Sequence, residues 1–407
     1  MHSIETRSSW VVAWTALAIV SVAFGAPQIV VVALRPIAAQ LGDSRAIPSA
    51  AYSLAWLGMA VGGVGMGWIA DRIGTRYTVA FGAAMIAIGL MLASGGKAWQ
   101  LVVGYGLFVG LLGNAGLNAP LYVYVSRWFD RRRGTALALI SSGQYVAGAL
   151  WPMLFEQAIQ RLGWPHTMRV FGVFQVVVVL PAALLVLRAP PEPVQTGATA
   201  DGPRPGHAVL GMPANLTLLL LAVASFCCCV PMAMPQGQLV AFCGDLGIPA
   251  EQGAAMLSVL LACAFASRQF WGWLSDRIGG LSTVVICSAC QLVSMAGFML
   301  ARSELDLFLV SILFGLGFSG LIPAYVLAIR ELFPSSEAGW RVPSLLLLSG
   351  SGMATGGWLA GWIFDRTGFY GAAFAAGMGF NLLNLLVVGF LLMQARQLRQ
   401  AAAMRTA

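Results

Sequence analysis

Apolar residues run through this chain in twelve long blocks separated by short polar segments. The first six blocks cover roughly 10–34, 47–70, 78–95, 99–125, 134–157 and 167–187. The second six cover roughly 214–241, 251–274, 282–301, 306–329, 342–364 and 370–394. About 20 apolar residues cross a bilayer as one helix, so each block predicts a membrane span. Between the two sets lies 189–209, rich in Pro, Gly, Ala and Thr and without apolar periodicity. It predicts a flexible linker between an N-terminal six-helix bundle, 1–188, and a C-terminal one, 210–407. The expected fold class is an all-α membrane protein with twelve transmembrane helices in two six-helix repeats.

Composition supports lipid as the solvent. Of 407 residues, 59% are hydrophobic and only 9% charged, against roughly 25% charged in soluble domains. The mean hydropathy is +0.81. Such a chain cannot cover a water-facing surface, which excludes a soluble enzyme, a nucleic-acid-binding domain and a disordered chain. The net charge of +8 does not restore a nucleic-acid partner. The basic residues, all arginine except Lys97, sit singly or in short clusters between apolar blocks and so orient the chain in a membrane. With the N-terminus inside, fifteen of them fall on inner loops and tails and seven on outer loops, leaving Arg268 within a span. Both termini and the linker are therefore expected in the cytoplasm. The skew to arginine suggests a GC-rich bacterial genome, hence a bacterial inner membrane. The first block is too long, and followed by too many others, for a cleavable signal peptide.

No cofactor or metal is expected. All seven cysteines except Cys243 lie well inside apolar blocks. Cys287 and Cys290 have a redox-like spacing, but no histidine or second cysteine pair accompanies them, and they read as small buried residues. The histidines, His2, His166 and His207, all fall outside span centres, so an intramembrane histidine relay is unsupported. No nucleophile–base pair occurs within the spans, and the chain is not expected to be an enzyme.

The two halves repeat. Gly67 to Gly74 (GWIADRIG) closes the second block, and Gly272 to Gly279 (GWLSDRIG) closes the eighth, 205 residues later. Gly116, Leu117 and Phe129 match Gly320, Leu321 and Phe333 at an offset of 204. Parallel six-span repeats with this inner loop resemble the major facilitator superfamily. The resemblance implies that Asp71, Arg72 and Arg76, with Asp276 and Arg277 in the second copy, form inner gates that latch an outward-open state. The second copy has Leu281 where Arg76 stands in the first, which predicts a weaker latch. A third copy, Gly361 to Gly368 (GWIFDRTG), falls on the outer side and is read as a structural turn only. The cluster Arg127 to Gly134, with Arg131 at its centre, can bind anionic lipid, fix topology or pair with Asp71. Its counterpart, Glu331 to Gly339, is acidic, so the inner side is asymmetric.

Arg268 lies eight residues before Asp276, so about 12 Å along the helix. An arginine inside a membrane costs at least about 2.5 kcal/mol and faces water or a partner. No acidic residue lies at a span centre to pair with it. Its planar fork suits a substrate carboxylate. The competing reading is an arginine that snorkels to the inner surface or bonds backbone carbonyls.

Three further segments sharpen the resemblance: Leu34 to Gly42 (LRPIAAQLG), Trp128 to Ala136 with its W-F-x-x-R-R-x-x-A pattern, and Arg268 to Gly272 (RQFWG). They resemble the monocarboxylate transporter family and its bacterial relatives, the oxalate/formate antiporters among them, over nearly the whole chain. In that family the arginine matching Arg268 binds the substrate carboxylate, and the resemblance carries that role here. There are departures. The animal transporters have an acidic residue one turn before that arginine, where this chain has Ala264. They also have a first-span lysine, and no span here contains one. The second cation of the oxalate antiporters has no match within 342–364, because Arg341 stands at the inner edge. A dicarboxylate held at both ends is thus disfavoured, and proton coupling through an eighth-span carboxylate is excluded.

Other polar residues are candidates to line the substrate path. Asn114, Asn118 and Tyr122 recur every four residues and share one helix face. Tyr325, Gln144, Tyr145 and Gln28 offer further hydrogen-bonding groups. Asn381 and Asn384 are read as helix contacts, and Pro231 and Pro235 as kinks in a gating helix. The expected function is secondary active transport of a small organic anion, a monocarboxylate, by alternating access. Its partners are that anion, a co-transported proton or an exchanged anion, and the lipid bilayer, with the protein a monomer. Transport of a drug, cation or inorganic anion, and a non-transporting sensor on the same fold, stay open as alternatives.

Overall fold

A computed structural model describes residues 5–129, 133–187 and 208–406. Most of the linker and Arg131 lie outside the described residues.

The chain is overwhelmingly helical, as its apolar blocks require of a backbone in lipid. The first span is Arg7–Ala23 and Gly25–Val32, extended by Leu34–Gln40. The second is Ala46–Ile73, the third Thr75–Ala93 and the sixth Trp164–Val186. The fifth is Arg133–Ser141 and Gly143–Leu162. In the second half the spans are Ala214–Asp245, Ala250–Ile278, Gly280–Leu300, Glu304–Phe318 with Leu321–Leu332, Ser335–Thr367 and Gly371–Thr406. Among the described residues, nine segments are long and apolar enough to cross a membrane. The second span is a tenth, bent by 51° between Gly63 and Gly65. The remaining two expected spans, the fifth and eleventh, are helical but less uniformly apolar: one is broken at Ser142, and the other is rich in Ser and Gly.

The fourth span departs from regular helix. Ala98–Val103 leads into a π-helix, Gly104–Asn114, and then Ala115–Ser126. The wider turn sits where the second span comes very close. A Cβ on Gly62 would lie 2.3 Å from the Leu111 carbonyl oxygen, and one on Gly58 2.5 Å from that of Gly106. Bare glycines let the backbones touch, which is how helices pack when lipid removes the hydrophobic drive. The last glycine of each repeated loop motif has a positive φ: 94° at Gly74, 83° at Gly279 and 77° at Gly368. A left-handed residue there ends one helix without a Cβ penalty.

The only strands among the described residues form a small hairpin, Ala208–Val209 with Met212–Pro213. Its two turn residues, Leu210 and Gly211, both have positive φ, as a tight two-residue turn demands.

The chain forms two compact units. The first comprises 1–195, 236–262 and 357–368; the second comprises 196–235, 263–356 and 369–407. Parts of the seventh, eighth and eleventh spans belong with the first unit. In the second unit a buried polar chain ties helices together. Asn384 Nδ2 donates to Ser288 Oγ at 2.6 Å, and Asn381 Nδ2 donates to Gln291 Oε1 at 3.1 Å. Gln291 Nε2 in turn donates to the Cys228 carbonyl at 3.2 Å. Phe298 and Phe374 stack in the same unit, with ring centroids 5.6 Å apart.

Candidate functional site

Arg268 is carried by the eighth span in the second unit and is half-buried. Its neighbours fix the helix rotation around it. Ser267 Oγ lies 2.8 Å from Ser319 Oγ, and Trp271 Nε1 donates to the Leu316 carbonyl at 2.6 Å. These residues, four apart, dock one face of the helix on the tenth span. Arg268 follows Ser267 and so points about 100° away from that contact. The sequence suggested an unpartnered charge. The structure corrects this, because Arg268 takes part in an interaction within the protein. A cation in a low-dielectric interior is expected to recruit such a contact.

Tyr325 is fully buried, and its hydroxyl donates to Asn384 Oδ1. It belongs to the packing of the second unit rather than to an open surface. Arg341 is also buried, at 3% exposure. It forms a pair with Glu337, Nη2 to Oε2 2.6 Å, one helical turn away. Its guanidinium lies 4.3 Å from the Phe333 ring.

The first unit carries candidate polar groups on four spans. Asn118 is half-buried, with Nδ2 3.5 Å from the Met59 sulfur. Asn114 closes the π-helix, is buried, and its Oδ1 has no hydrogen-bond partner. Gln28 Oε1, Trp56 Nε1 and Ser53 Oγ are likewise buried atoms without partners. Such atoms carry a desolvation cost that a ligand or water relieves. Trp56 packs against Phe24 and Tyr52, with ring centroids 5.8 and 6.4 Å away. Tyr122 and Gln144 are half-buried and Tyr145 is buried. Tyr122 and Tyr145 already make contacts within the protein. Trp56 and Ser53 were missed by the sequence reading. Their signal, a polar atom on an otherwise apolar stripe of the second span, resembles ordinary core.

The loop-motif residues lie at helix ends. Asp71 Oδ1 accepts from Arg127 Nη2 at 2.9 Å, and both side chains are about half exposed or more. The pair is the Asp71 partnership expected of the basic cluster. Arg72 stacks on Trp68 at 3.6 Å, and Arg76 Nη2 bonds the Tyr77 hydroxyl at 2.5 Å. In the second copy Asp276 is exposed, and Arg277 stacks on Trp273 at 4.1 Å. There Glu331 rather than the motif aspartate receives the first backbone N–H of the ninth span, Gly280 N, at 3.0 Å.

A further polar cluster, not foreseen from the sequence, lies in the first unit. Arg45 grips Asp245 with both ends of its fork, at 2.5 and 2.6 Å, and lies 3.7 Å over the Phe364 ring. Gln238 Nε2 donates to Ser49 Oγ at 2.8 Å and to the Gly357 carbonyl at 3.2 Å. The third loop motif also does more than turn the chain. Its Asp365 accepts hydrogen bonds from the backbone at the start of the second span.

No group of three or more His, Cys, Asp or Glu side chains among the described residues is placed to hold a metal ion. All seven cysteines are free thiols.

Residues 13–339 match the model of the Major Facilitator Superfamily. The MFS transporter asaE of Aspergillus flavus is 27% identical over 310 residues, covering 74% of this chain and 67% of that one. Monocarboxylate transporter 13 of Rattus norvegicus is 25% identical over 319 residues, covering 77% and 72%. The MFS-type transporter YcxA of Bacillus subtilis is 23% identical over 348 residues, covering 82% and 83%. Among solved structures, a bacterial homologue of the human lysosomal transporter Spinster, inward-facing and occupied, aligns with a TM-score of 0.71 at 14% identity. That alignment covers 96% of this chain and 98% of the other. The peptide transporter POT in complex with alafosfalin aligns with a TM-score of 0.72 at 15% identity, covering 93% and 94%.

Proposed function

Because the chain belongs to the major facilitator superfamily, we propose that it is a secondary active transporter of a small organic anion, a monocarboxylate. It works by alternating access in a bacterial inner membrane, with both termini in the cytoplasm. The observation that carries the substrate class is Arg268, a permanent positive charge set well inside a transmembrane helix and half-buried there. Such a charge is costly in a bilayer and is kept where it binds something. A guanidinium offers a carboxylate two parallel hydrogen bonds, each charge-assisted. The relative named as a monocarboxylate transporter, and the motif resemblance around Arg268, favour the same class.

In this reading Arg268 binds the carboxylate. Gln28, Asn114, Asn118, Tyr122, Gln144 and Tyr145 orient the rest of the substrate. The unpartnered oxygens of Gln28 and Asn114 favour a substrate that also carries a hydroxyl donor. Binding neutralises Arg268 and so lowers the cost of enclosing its charge while access switches sides, which links occupancy to the conformational change. Asp71, Arg72, Arg76, Arg131, Asp276 and Arg277 gate the inner side.

The test is uptake of a labelled panel into proteoliposomes: lactate, pyruvate, an aromatic acid, oxalate, nitrate and one cationic drug. Saturable uptake of a monocarboxylate, with oxalate and the cation excluded, is the expected result. Uptake of the cation alone overturns the proposal.

A further inference from the structure

The loop motif G-W-x-x-D-R occurs three times, and its three aspartates meet different fates in one structure. Asp71 pairs at the surface with Arg127, and Asp276 is exposed. Asp365 is bound to the start of a helix. Its Oδ1 accepts from Arg45 N at 2.8 Å, and its Oδ2 accepts from Ala46 N and from Ser44 Oγ, each at 2.9 Å. The second span begins at Ala46 and has no side-chain cap of its own. The first backbone N–H groups of a helix lack partners and carry partial positive charge. Asp365, 320 residues further on, satisfies two backbone donors at this end at once.

The residues around Asp365 build the same junction. Arg45, whose N–H is capped, turns its side chain to grip Asp245 at the end of the seventh span, and that side chain is only 11% exposed. The eleventh span approaches the second through glycines. A Cβ on Gly361 would lie 2.3 Å from Ser49 Oγ, and one on Gly357 2.7 Å from Ser53 Oγ. Gln238 on the seventh span bridges Ser49 and the Gly357 carbonyl. All these residues belong to the first unit. Three spans that lie far apart in sequence are thus held at one end by a capped helix, a bidentate ion pair and a side-chain bridge.

We propose that the third motif copy is an outer latch, in which Asp365, with the Arg45–Asp245 pair, holds the outer ends of the second, seventh and eleventh spans together. The proposal rests on the transporter reading and on the inside–outside assignment from the arginine count. It explains why one sequence motif appears on both faces. Opening the outer side breaks the Asp365 cap and exposes the start of the second span to water. The motif that the resemblance makes a gate on the inner side thus serves as a latch on the opposite face. Asp365 binds no substrate and is a positioning residue.

The experiment reads sidedness without needing a substrate. Ala241 is buried on the seventh span, one turn before Asp245. Ala241→Cys is labelled in intact cells with a membrane-impermeant maleimide, and the signal of the chain lacking that cysteine is subtracted. Asp365→Asn is expected to raise the outside labelling rate by about tenfold, the factor that ~1.4 kcal/mol represents. Asp245→Asn is expected to act similarly, and Asp71→Asn is expected not to raise it. Ser44→Ala removes one donor to Asp365 and is expected to give a smaller rise; it serves where Asp365→Asn does not fold. A rate unchanged by Asp365→Asn and Ser44→Ala in folded protein overturns the latch. A rise seen only in inside-out vesicles overturns its outer placement. Failure to find a transported anion sinks the transporter reading while leaving the labelling result to decide the latch.

Discussion

Tyr325→Phe separates two roles for one hydroxyl. The sequence makes Tyr325 a donor to substrate, whereas the structure commits its proton to Asn384 Oδ1. Both side chains are completely buried. Removing the hydroxyl leaves Asn384 Oδ1 without its donor, although Nδ2 still bonds Ser288 Oγ at 2.6 Å. An orphaned buried acceptor costs about 1–3 kcal/mol in soluble proteins. Interhelical bonds in membranes average about 0.6 and reach about 1.7 kcal/mol, because the unfolded chain in lipid also finds partners. The two ranges overlap at about 1–2 kcal/mol, which is the expected loss. Equilibrium unfolding in mixed micelles measures it. Asn384→Leu combined with Tyr325→Phe removes both partners, so the double variant is expected to fall short of the summed losses by about 1 kcal/mol. Transport KM is expected to shift by less than about threefold, or ~0.7 kcal/mol. Full stability together with a KM raised tenfold would refute the packing role and return Tyr325 to the substrate site.

Other expectations follow from the same contacts. Gly62→Leu is expected to abolish folding, because its Cβ would fall 2.3 Å from the Leu111 carbonyl oxygen, whereas Gly65→Ala, facing open space, is expected to be silent; yield and melting in detergent compare them. Arg341→Ala leaves Glu337 half-buried and alone, and a loss of about 3–5 kcal/mol in the same unfolding assay is expected from breaking a buried pair. Arg127→Gln removes a solvent-exposed partner of Asp71 and is expected to cost under about 1 kcal/mol, less in high salt.

Much of the fold is written in the spacing of apolar blocks. The block at 214–241 becomes Ala214–Asp245, and that at 78–95 becomes Thr75–Ala93. Helical ends are also marked, since Gly74, Gly279 and Gly368 close the three motif copies in the left-handed region. The π-helix at Gly104–Asn114 is not legible, because a uniformly apolar run has no periodicity to reveal whether its turn is wide or regular. Long-range pairings are equally hidden. Nothing local in Tyr325 announces Asn384, and nothing in Asp365 announces the start of the second span. The candidate site divides in the same way. Arg268 stands out as a charge inside an apolar block, but its engagement within the protein depends on packing. Trp56 and Ser53 carry unpartnered polar atoms that only the fold exposes. The third motif copy is visible as a repeat, but the helix start that its aspartate holds is visible only in the fold.

The most direct test of the carboxylate site is saturable monocarboxylate uptake into proteoliposomes by wild type, Arg268→Lys and Arg268→Gln, with melting measured on each. Lysine keeps the charge but not the planar fork, so partial uptake with a raised KM is expected. Glutamine is expected to abolish uptake while the protein stays folded. Carboxylate uptake unchanged in Arg268→Gln would contradict the account.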